Sequence, residues 1–217
     1  MNKLITSTAI ALCLASGAAA QEKSEFKVAW SIYVGWMPWG YLEDSGIMDK
    51  WADKYDIDVE IVQINDYIES INQYTAGQFD GVSATSMDTL SIPSGGGVDT
   101  TALIVGDYSN GNDAVILKGD GDLTALAGMP VNLVELSVSH YLLARGLDSV
   151  GLSEADLDGV INTSDADMIA AFATNDVEAV VTWNPLVSSI LDDPSASLLF
   201  DSSELPGEII YPMVVTS

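Results

Sequence analysis

The sequence predicts an α/β protein built as two lobes. The first reason is order: strand-like runs of three to seven residues alternate with segments of helical spacing, which predicts a mainly parallel sheet covered by helices. The second is repetition. A β-α-β-α-β-α-β order is complete by Gly106 and restarts after Asp107-Tyr108-Ser109-Asn110-Gly111-Asn112-Asp113, a polar, turn-rich break that reads as a hinge. The third is size, because about 200 residues past the N-terminal segment can bury a sizeable core.

Taken in order, Phe26 to Trp30 reads as a buried strand, and the loop after it carries Tyr33, Trp36 and Trp39. Pro38 suits a first helical turn, since its φ is preset and its missing N–H costs nothing there. Gly40 to Tyr55 has helical spacing, interrupted at Ser45-Gly46. Asp58 to Ile64 alternates as a strand, and Asp66 with Glu69 forms a capping box for a helix that Gly77 ends. Phe79 to Ala84 is a short strand, a helix opens at Thr85 and runs toward Pro93, and Thr100 to Gly106 is a further strand.

The second unit begins with a strand at Ala114 to Leu117, followed by a turn at Leu123 to Leu126 and a strand at Pro130 to Leu133. Ser137 or Ser139 caps a helix to about Val150, Ser153 to Leu157 is a short helix, and Gly159 to Ile161 is a strand. Thr163 or Ser164 caps the helix carrying Met168 to Phe172. Val177 to Thr182 is a strand ending at Trp183-Asn184-Pro185, and a helix to Leu191 and strands at Ser197 to Phe200 and Ile209 to Val215 complete the pattern. The expected division is residues 1–20 as a leader, 21–107 as lobe 1, 108–207 as lobe 2, and 208–217 as a strand returning to lobe 1. A chain stopping on that strand is expected to leave lobe 1 incomplete at its C-terminus, with apolar surface exposed.

The leader has a basic residue, Lys3, then the apolar stretch Leu4 to Ser16 and the small residues Ala18-Ala19-Ala20. That is the pattern of a secretory signal peptide cleaved after Ala20, too short to span a bilayer. Cys13 is the single cysteine and falls inside it, so the mature chain is expected to hold no disulfide and no Cys-ligated metal. Past the leader, 6 basic residues stand against 32 acidic ones, a net charge of −26. The charge reads mainly as a solubility adaptation. It argues against nucleic acid and anionic membranes as partners and favours neutral or cationic ligands, because a negative field concentrates cations in clefts.

Catalytic and cofactor fingerprints are absent: there is one histidine, His140, and no nucleophile elbow, P-loop or dinucleotide motif, so no cofactor and no metal are expected. The sequence does place polar and aromatic groups at strand C-termini, where open α/β sheets bind ligands. The candidate ligand-binding residues are Trp30, Ser31, Tyr33, Trp36 and Asp88 from the first unit, with Glu135, Ser137, Trp183 and Asn184 from the second. In a two-lobed protein these edges face each other across a cleft. Aromatic faces attract cations, and a carboxylate matches a planar guanidinium with two parallel hydrogen bonds.

Val28 to Trp39, Tyr74-Thr75-Ala76-Gly77-Gln78-Phe79-Asp80, Ser137-Val138-Ser139-His140-Tyr141-Leu142-Leu143 and Trp183-Asn184-Pro185 together resemble the periplasmic solute-binding proteins of ABC importers. The resemblance is to the nitrate/sulfonate/taurine-type group and covers essentially the whole mature chain. Asn65 to Tyr74 and Asn132 to Ser137 resemble the binding proteins encoded beside urea carboxylase-type enzymes. The resemblance implies a type II, two-lobed periplasmic binding protein with hinge strands, a monomer that presents a small molecule to an inner-membrane permease. It implies a urea- or guanidine-type ligand. Relatives run further at the C-terminus, and where sulfonate binders use a small, Ser-rich helix start this chain places Glu135 two residues earlier.

A non-enzymatic binding protein is therefore the expectation, with a sulfonate, taurine or nitrate-type anion as the alternative ligand. An enzyme like the thiamin-pyrimidine synthases would need a reactive Lys and several His, where this chain offers Lys118 and His140. A sensory ligand domain would need a fused DNA-binding or membrane segment.

Overall fold

The computed structural model describes residues 23–217; the expected leader, its cleavage point after Ala20 and Cys13 lie outside the described residues. The strands are β1 (Glu25–Trp30), β2 (Asp58–Gln63), β3 (Gly81–Ser83), β4 (Thr100–Tyr108), β5 (Asp113–Lys118), β6 (Val131–Leu133), β7 (Val160–Asn162), β8 (Ala179–Trp183), β9 (Ala196–Asp201) and β10 (Ile210–Thr216). The helices are α1 (Met37–Asp44), α2 (Ile47–Tyr55), α3 (Tyr67–Thr75), α4 (Ser86–Thr89), α5 (Val138–Ser149), α6 (Asp165–Phe172) and α7 (Leu186–Leu191). Among the described residues they form two five-stranded sheets, ordered β2-β1-β3-β10-β4 and β7-β6-β8-β5-β9.

The direction of each strand follows from where the chain crosses between sheets. In the first sheet β1 runs parallel to β2 and β3, while β10 runs antiparallel to β3 and β4. In the second, β6 runs parallel to β7 and β8, while β5 runs antiparallel to β8 and β9. The two odd strands, β5 and β10, are those entered directly after a crossing. They start at the edge where the others finish, so they run the opposite way. The second sheet is thus mixed for the same reason as the first, and both crossings lie at one edge, beside the C-terminal ends of the parallel strands.

Local chemistry explains the helix starts. Asp66 accepts from Glu69 N–H at 2.9 Å, Thr85 from Asp88 N–H at 3.2 Å, Ser137 from Ser139 N–H at 3.1 Å and Ser164 from Asp167 N–H at 3.3 Å. The Asp66 box is one-sided, because the Glu69 carboxylate accepts from Gln73 Nε2 instead. Gly46 divides α1 from α2 with φ 67°, a conformation glycine reaches without Cβ strain. Two strand ends differ from expectation. β4 runs two residues into the expected break, and β5 starts at Asp113, which leaves 109–112 as the turn. Pro212 has no N–H to give the ladder, and the β10–β4 register shifts between Tyr211 and Pro212.

Buried residues of both sheets belong to one apolar cluster, from Ala29 and Val82 through Val115, Leu142 and Val181 to Val214. Strand β5 alternates: Val115 and Leu117 join that cluster, while Ala114 and Ile116 face Met168, Phe172 and Val187 on the other side. Helix α3 buries Tyr67, Ser70, Ile71 and Tyr74, the i, i+3, i+4, i+7 stripe of an amphipathic helix. The edge strand β4 is the exception, with Leu103 and Val105 61% and 69% exposed. Among the described residues no helix is long and apolar enough to cross a membrane.

Leu142→Ala, at a fully buried position, should cost about 2–5 kcal/mol in urea unfolding. Leu103→Ser should shift stability by no more than about 0.5 kcal/mol in the same measurement.

Candidate functional site

Where the sheets meet, residues of both enclose a small cage lined by Tyr33, Trp36, Tyr67, Tyr211, Trp183 and Asp113, with Thr85 and Val138. Tyr33 and Trp36 come from the turn after β1, Tyr67 opens α3, and Tyr211 lies on β10. Trp183 ends β8 and Val138 opens α5, so the other sheet closes the cage. The rings pack tightly: Tyr33–Tyr211 centroids are 4.3 Å apart, Tyr33–Trp36 5.1 Å, and Trp36–Tyr67 and Tyr67–Trp183 5.5 Å. The space open to the centre of a water molecule is ≈ 10 Å³, room for about one water. Across the cleft, Trp183 Nε1 donates to Ile32 O and Val34 N–H donates to Asn184 O, both at 3.4 Å.

Two carboxylates govern the electrostatics. Asp88 is fully buried behind the cage wall, where its Oδ2 accepts from Tyr67 OH at 2.5 Å and Thr85 Oγ1 at 2.8 Å. Asp113 is fully buried and lines the cage, with Oδ2 accepting from the hydroxyls of Ser109 and Tyr211. In each residue Oδ1 is buried without a partner. Burial pushes both up to about 6, against the opposing effect of those hydroxyls, and the Asp88 charge raises Asp113 further. The Trp36 indole N–H and the Tyr33 hydroxyl are also buried without partners.

Among the described residues no basic side chain compensates these groups. Lys23 pairs with Asp80, Lys27 with Glu60, and Lys50 and Lys54 lie over Trp51. Lys118 donates to the Phe172 and Thr174 carbonyls at 2.6 Å. Arg145, the single arginine, forms a two-pronged pair with Glu208 at 2.9 and 3.0 Å. That pair and the Tyr141 hydroxyl hold Glu208 down to about 2. The single histidine is engaged as well: Leu136 N–H donates to His140 Nδ1 at 3.1 Å, and Nε2 faces Glu154 Oε1 at 2.9 Å.

Of the residues expected at the site, Tyr33, Trp36 and Trp183 line the cage, and Asp88 stands one bond behind it. The others lie elsewhere. Trp30 is buried against α1, where a Cβ on Gly40 would come 2.8 Å from its ring. Ser31 is buried with its hydroxyl unpartnered but does not line the cage. Ser137 is spent on the cap of α5 and donates to Val134 O. Asn184 is spent on the start of α7, accepting from Ser188 N–H and Oγ at 3.1 and 2.6 Å.

Glu135 is exposed and lines a different space, a ≈ 230 Å³ crevice shared with Asp66, Glu69, Asn162, Ser164 and Asp165. The chain turns at Leu136 through φ 62°, an uncommon value for a residue with a Cβ, and this separates Glu135 from the cap that follows. Among the described residues no group of three or more His, Cys, Asp or Glu is placed to hold a metal. Tyr67, Thr85, Asp113, Val138 and Tyr211 are the cage residues that strand-end reasoning misses. Asp113, at the end of the polar break, carried a usable signal: it is an acid directly before an apolar strand.

No protein-family model matches the chain, and no curated protein matches it. Solved structures do. The alkanesulfonate-binding protein SsuA from Xanthomonas axonopodis pv. citri, bound to MOPS, is 20% identical, with a TM-score of 0.76 over 91% of this chain and 67% of that one. The periplasmic aliphatic sulphonate binding protein SsuA from Escherichia coli is 18% identical, with a TM-score of 0.74 over 88% and 65%. The periplasmic nitrate-binding protein NrtA from Synechocystis PCC 6803 is 13% identical, with a TM-score of 0.70 over 90% and 56%. The chain spans about two thirds of the length of the two sulfonate binders. These likenesses establish the two-lobed fold of periplasmic binding proteins, and the similar proteins are binding proteins rather than enzymes.

Because Asp88 and Asp113 hold protons more tightly folded than unfolded, they make the ligand-free protein less stable as pH rises from about 4 to 6. Asp113→Asn should therefore gain on the wild type by roughly 1–1.5 kcal/mol between pH 5 and pH 7.5, read from urea unfolding at each pH. A constant difference across that range would contradict the assignment.

Proposed function

We propose that the protein is the substrate-capturing component of an ABC importer, exported to the periplasm, and that its inter-lobe cage takes a small planar nitrogen cation of the guanidinium class. The observation that carries this reading is Asp113, which lines an aromatic cage with one oxygen bare, backed by Asp88 one hydrogen bond behind the wall, with every described basic residue engaged elsewhere. A buried carboxylate without a partner is costly. A guanidinium supplies the missing charge and in-plane N–H donors, and its faces match the rings of Trp36, Tyr67 and Trp183. Neutral urea offers the donors without the charge and should bind more weakly.

Capture requires the hinge to open, since the closed cage has room for about one water. Closure then removes ligand and carboxylates from water together, where their attraction is strongest. The closed form is the one presented to a permease, and the binding protein acts as a monomer without a cofactor. Lys118 and His140 are both engaged away from the cage, which favours binding over catalysis.

A second reading has one observation behind it. Val138, at the start of α5, lines the cage, and the neighbouring Ser139 hydroxyl is buried without a partner. A sulfonate or nitrate could use that helix start. It would then face two carboxylates at close range, and a like charge is disfavoured there.

Calorimetric titration with guanidinium, urea, taurine and nitrate at matched ionic strength separates the readings. Guanidinium should bind at pH 7.5, and Asp113→Asn should weaken it by on the order of a hundredfold, the cost of removing one partner from a buried charged contact. Binding should fade as pH drops below about 6, where the carboxylates take up protons. Taurine or nitrate binding with guanidinium silent would reject the cation reading.

A further inference from the structure

The two crossings between the sheets are stitched together by buried polar groups. Ser109 follows β4, and its N–H donates to Ile209 O at 2.8 Å, just before β10. Its hydroxyl donates to Asp113 Oδ2 and shares a 2.5 Å hydrogen bond with the Ser202 hydroxyl, which follows β9. Ser202 Oγ also accepts the Gly111 N–H at 2.9 Å, from the middle of the first crossing. Tyr211, on β10, donates to the same Asp113 Oδ2. Ser109, Asp113 and Ser202 are fully buried and Tyr211 is 2% exposed. Asp113 opens β5 in one sheet, while the hydroxyls it accepts come from the ends of the two strands, β4 and β10, that carry the chain to and from the other.

One carboxylate therefore has two separate surroundings. Oδ2 is saturated by the hinge, whereas Oδ1 is buried and bare in a residue that lines the cage. We propose that Asp113 binds the ligand and couples occupancy of the cage to the hinge: Oδ1 takes an N–H of the bound cation, while Oδ2 holds both crossings in the closed arrangement through Ser109, Tyr211 and Ser202. This rests on the cage being the ligand site.

The coupling has a simple physical basis. In the empty closed form the bare oxygen carries the cost of an unpartnered buried charge, and opening the hinge would hydrate it. A donor on Oδ1 removes that cost only in the closed form, so the ligand shifts the equilibrium by its differential interaction with the two arrangements. Ser202 lines no part of the cage and acts as a positioning residue for Asp113 and for the second crossing.

The test uses the full chain, guanidinium chloride at millimolar concentration and fixed ionic strength, with Ser202→Ala and Asp113→Asn compared with the wild type. Stopped-flow tryptophan fluorescence gives association and dissociation rates, and small-angle scattering gives the compaction on binding. Loss of a buried hydrogen bond in the closed form should speed dissociation of Ser202→Ala about 5- to 20-fold, with association changed less than about twofold. Its preference for guanidinium over urea should stay that of the wild type, whereas Asp113→Asn should lose both affinity and preference. Ser109→Ala, on the same network, should repeat the kinetic effect. Wild-type dissociation and compaction in both serine variants, or an unchanged preference in Asp113→Asn, would overturn the coupling. If the wild type binds taurine or nitrate instead, the cation reading fails and the Oδ1 contact with it, while the serine variants tested with that anion still decide, by the same dissociation and compaction criteria, whether the Oδ2 network holds the closed arrangement.

Discussion

The structure depends on one topological constraint: both crossings lie at the edge where the parallel strands end. Every loop after such a strand therefore opens toward the other sheet, and the chain must change lobe in the same place. The two strands entered after a crossing, β5 and β10, run against their neighbours for that reason alone. Their first residues stand at the cleft, which brings Asp113 and Tyr211 to the cage from opposite sheets. Hinge and candidate site are thus made from the same few residues, and a polar group placed at one is felt at the other.

Against that geometry, the distribution of charge is selective rather than uniform. The chain is strongly acidic, yet most of its carboxylates are exposed, where screening makes each worth little. Asp88 and Asp113 differ because they are fully buried, and each keeps one oxygen without a side-chain partner. The overall charge would draw cations toward the cleft, while the buried pair would decide what is retained there. Arg145 completes the division of labour: paired with Glu208 just before β10, it braces the second crossing and offers nothing to the cage.

Much of the fold was legible because its signals are local. Asp66, Thr85, Ser137 and Ser164 each cap the helix that follows, as hydroxyl or carboxylate side chains before periodic apolar runs do. The unbroken apolar run after Asp113 is that of a strand packed on both faces, as Val115 and Leu117 on one side and Ala114 and Ile116 on the other are. The cage was legible only in part. Tyr33, Trp36 and Trp183 follow strand ends and were found on that ground, but Tyr67 reads as the first core position of an amphipathic helix and Tyr211 as one residue of a β-prone strand. Their meeting depends on the second crossing, which no local pattern encodes. Glu135 follows a strand as a cleft residue would, but it lines a separate crevice, with Leu136 at φ 62° between it and the helix start that reaches the cage.

The same scaffold binds nitrate and sulfonates in proteins whose structures this chain matches, so the sign of the ligand cannot follow from the fold. It follows from which groups are buried at the shared edge. A helix start such as that of α5 offers partial positive charge to any occupant, roughly half an elementary charge at most, and solvent or a cap can satisfy it. A buried carboxylate carries a full charge and has no comparable way to be satisfied without a cation or a proton. Where the two coexist, as they do around Val138, Asp88 and Asp113, the carboxylates dominate the field at neutral pH. The helix terminus then serves chiefly to temper their repulsion.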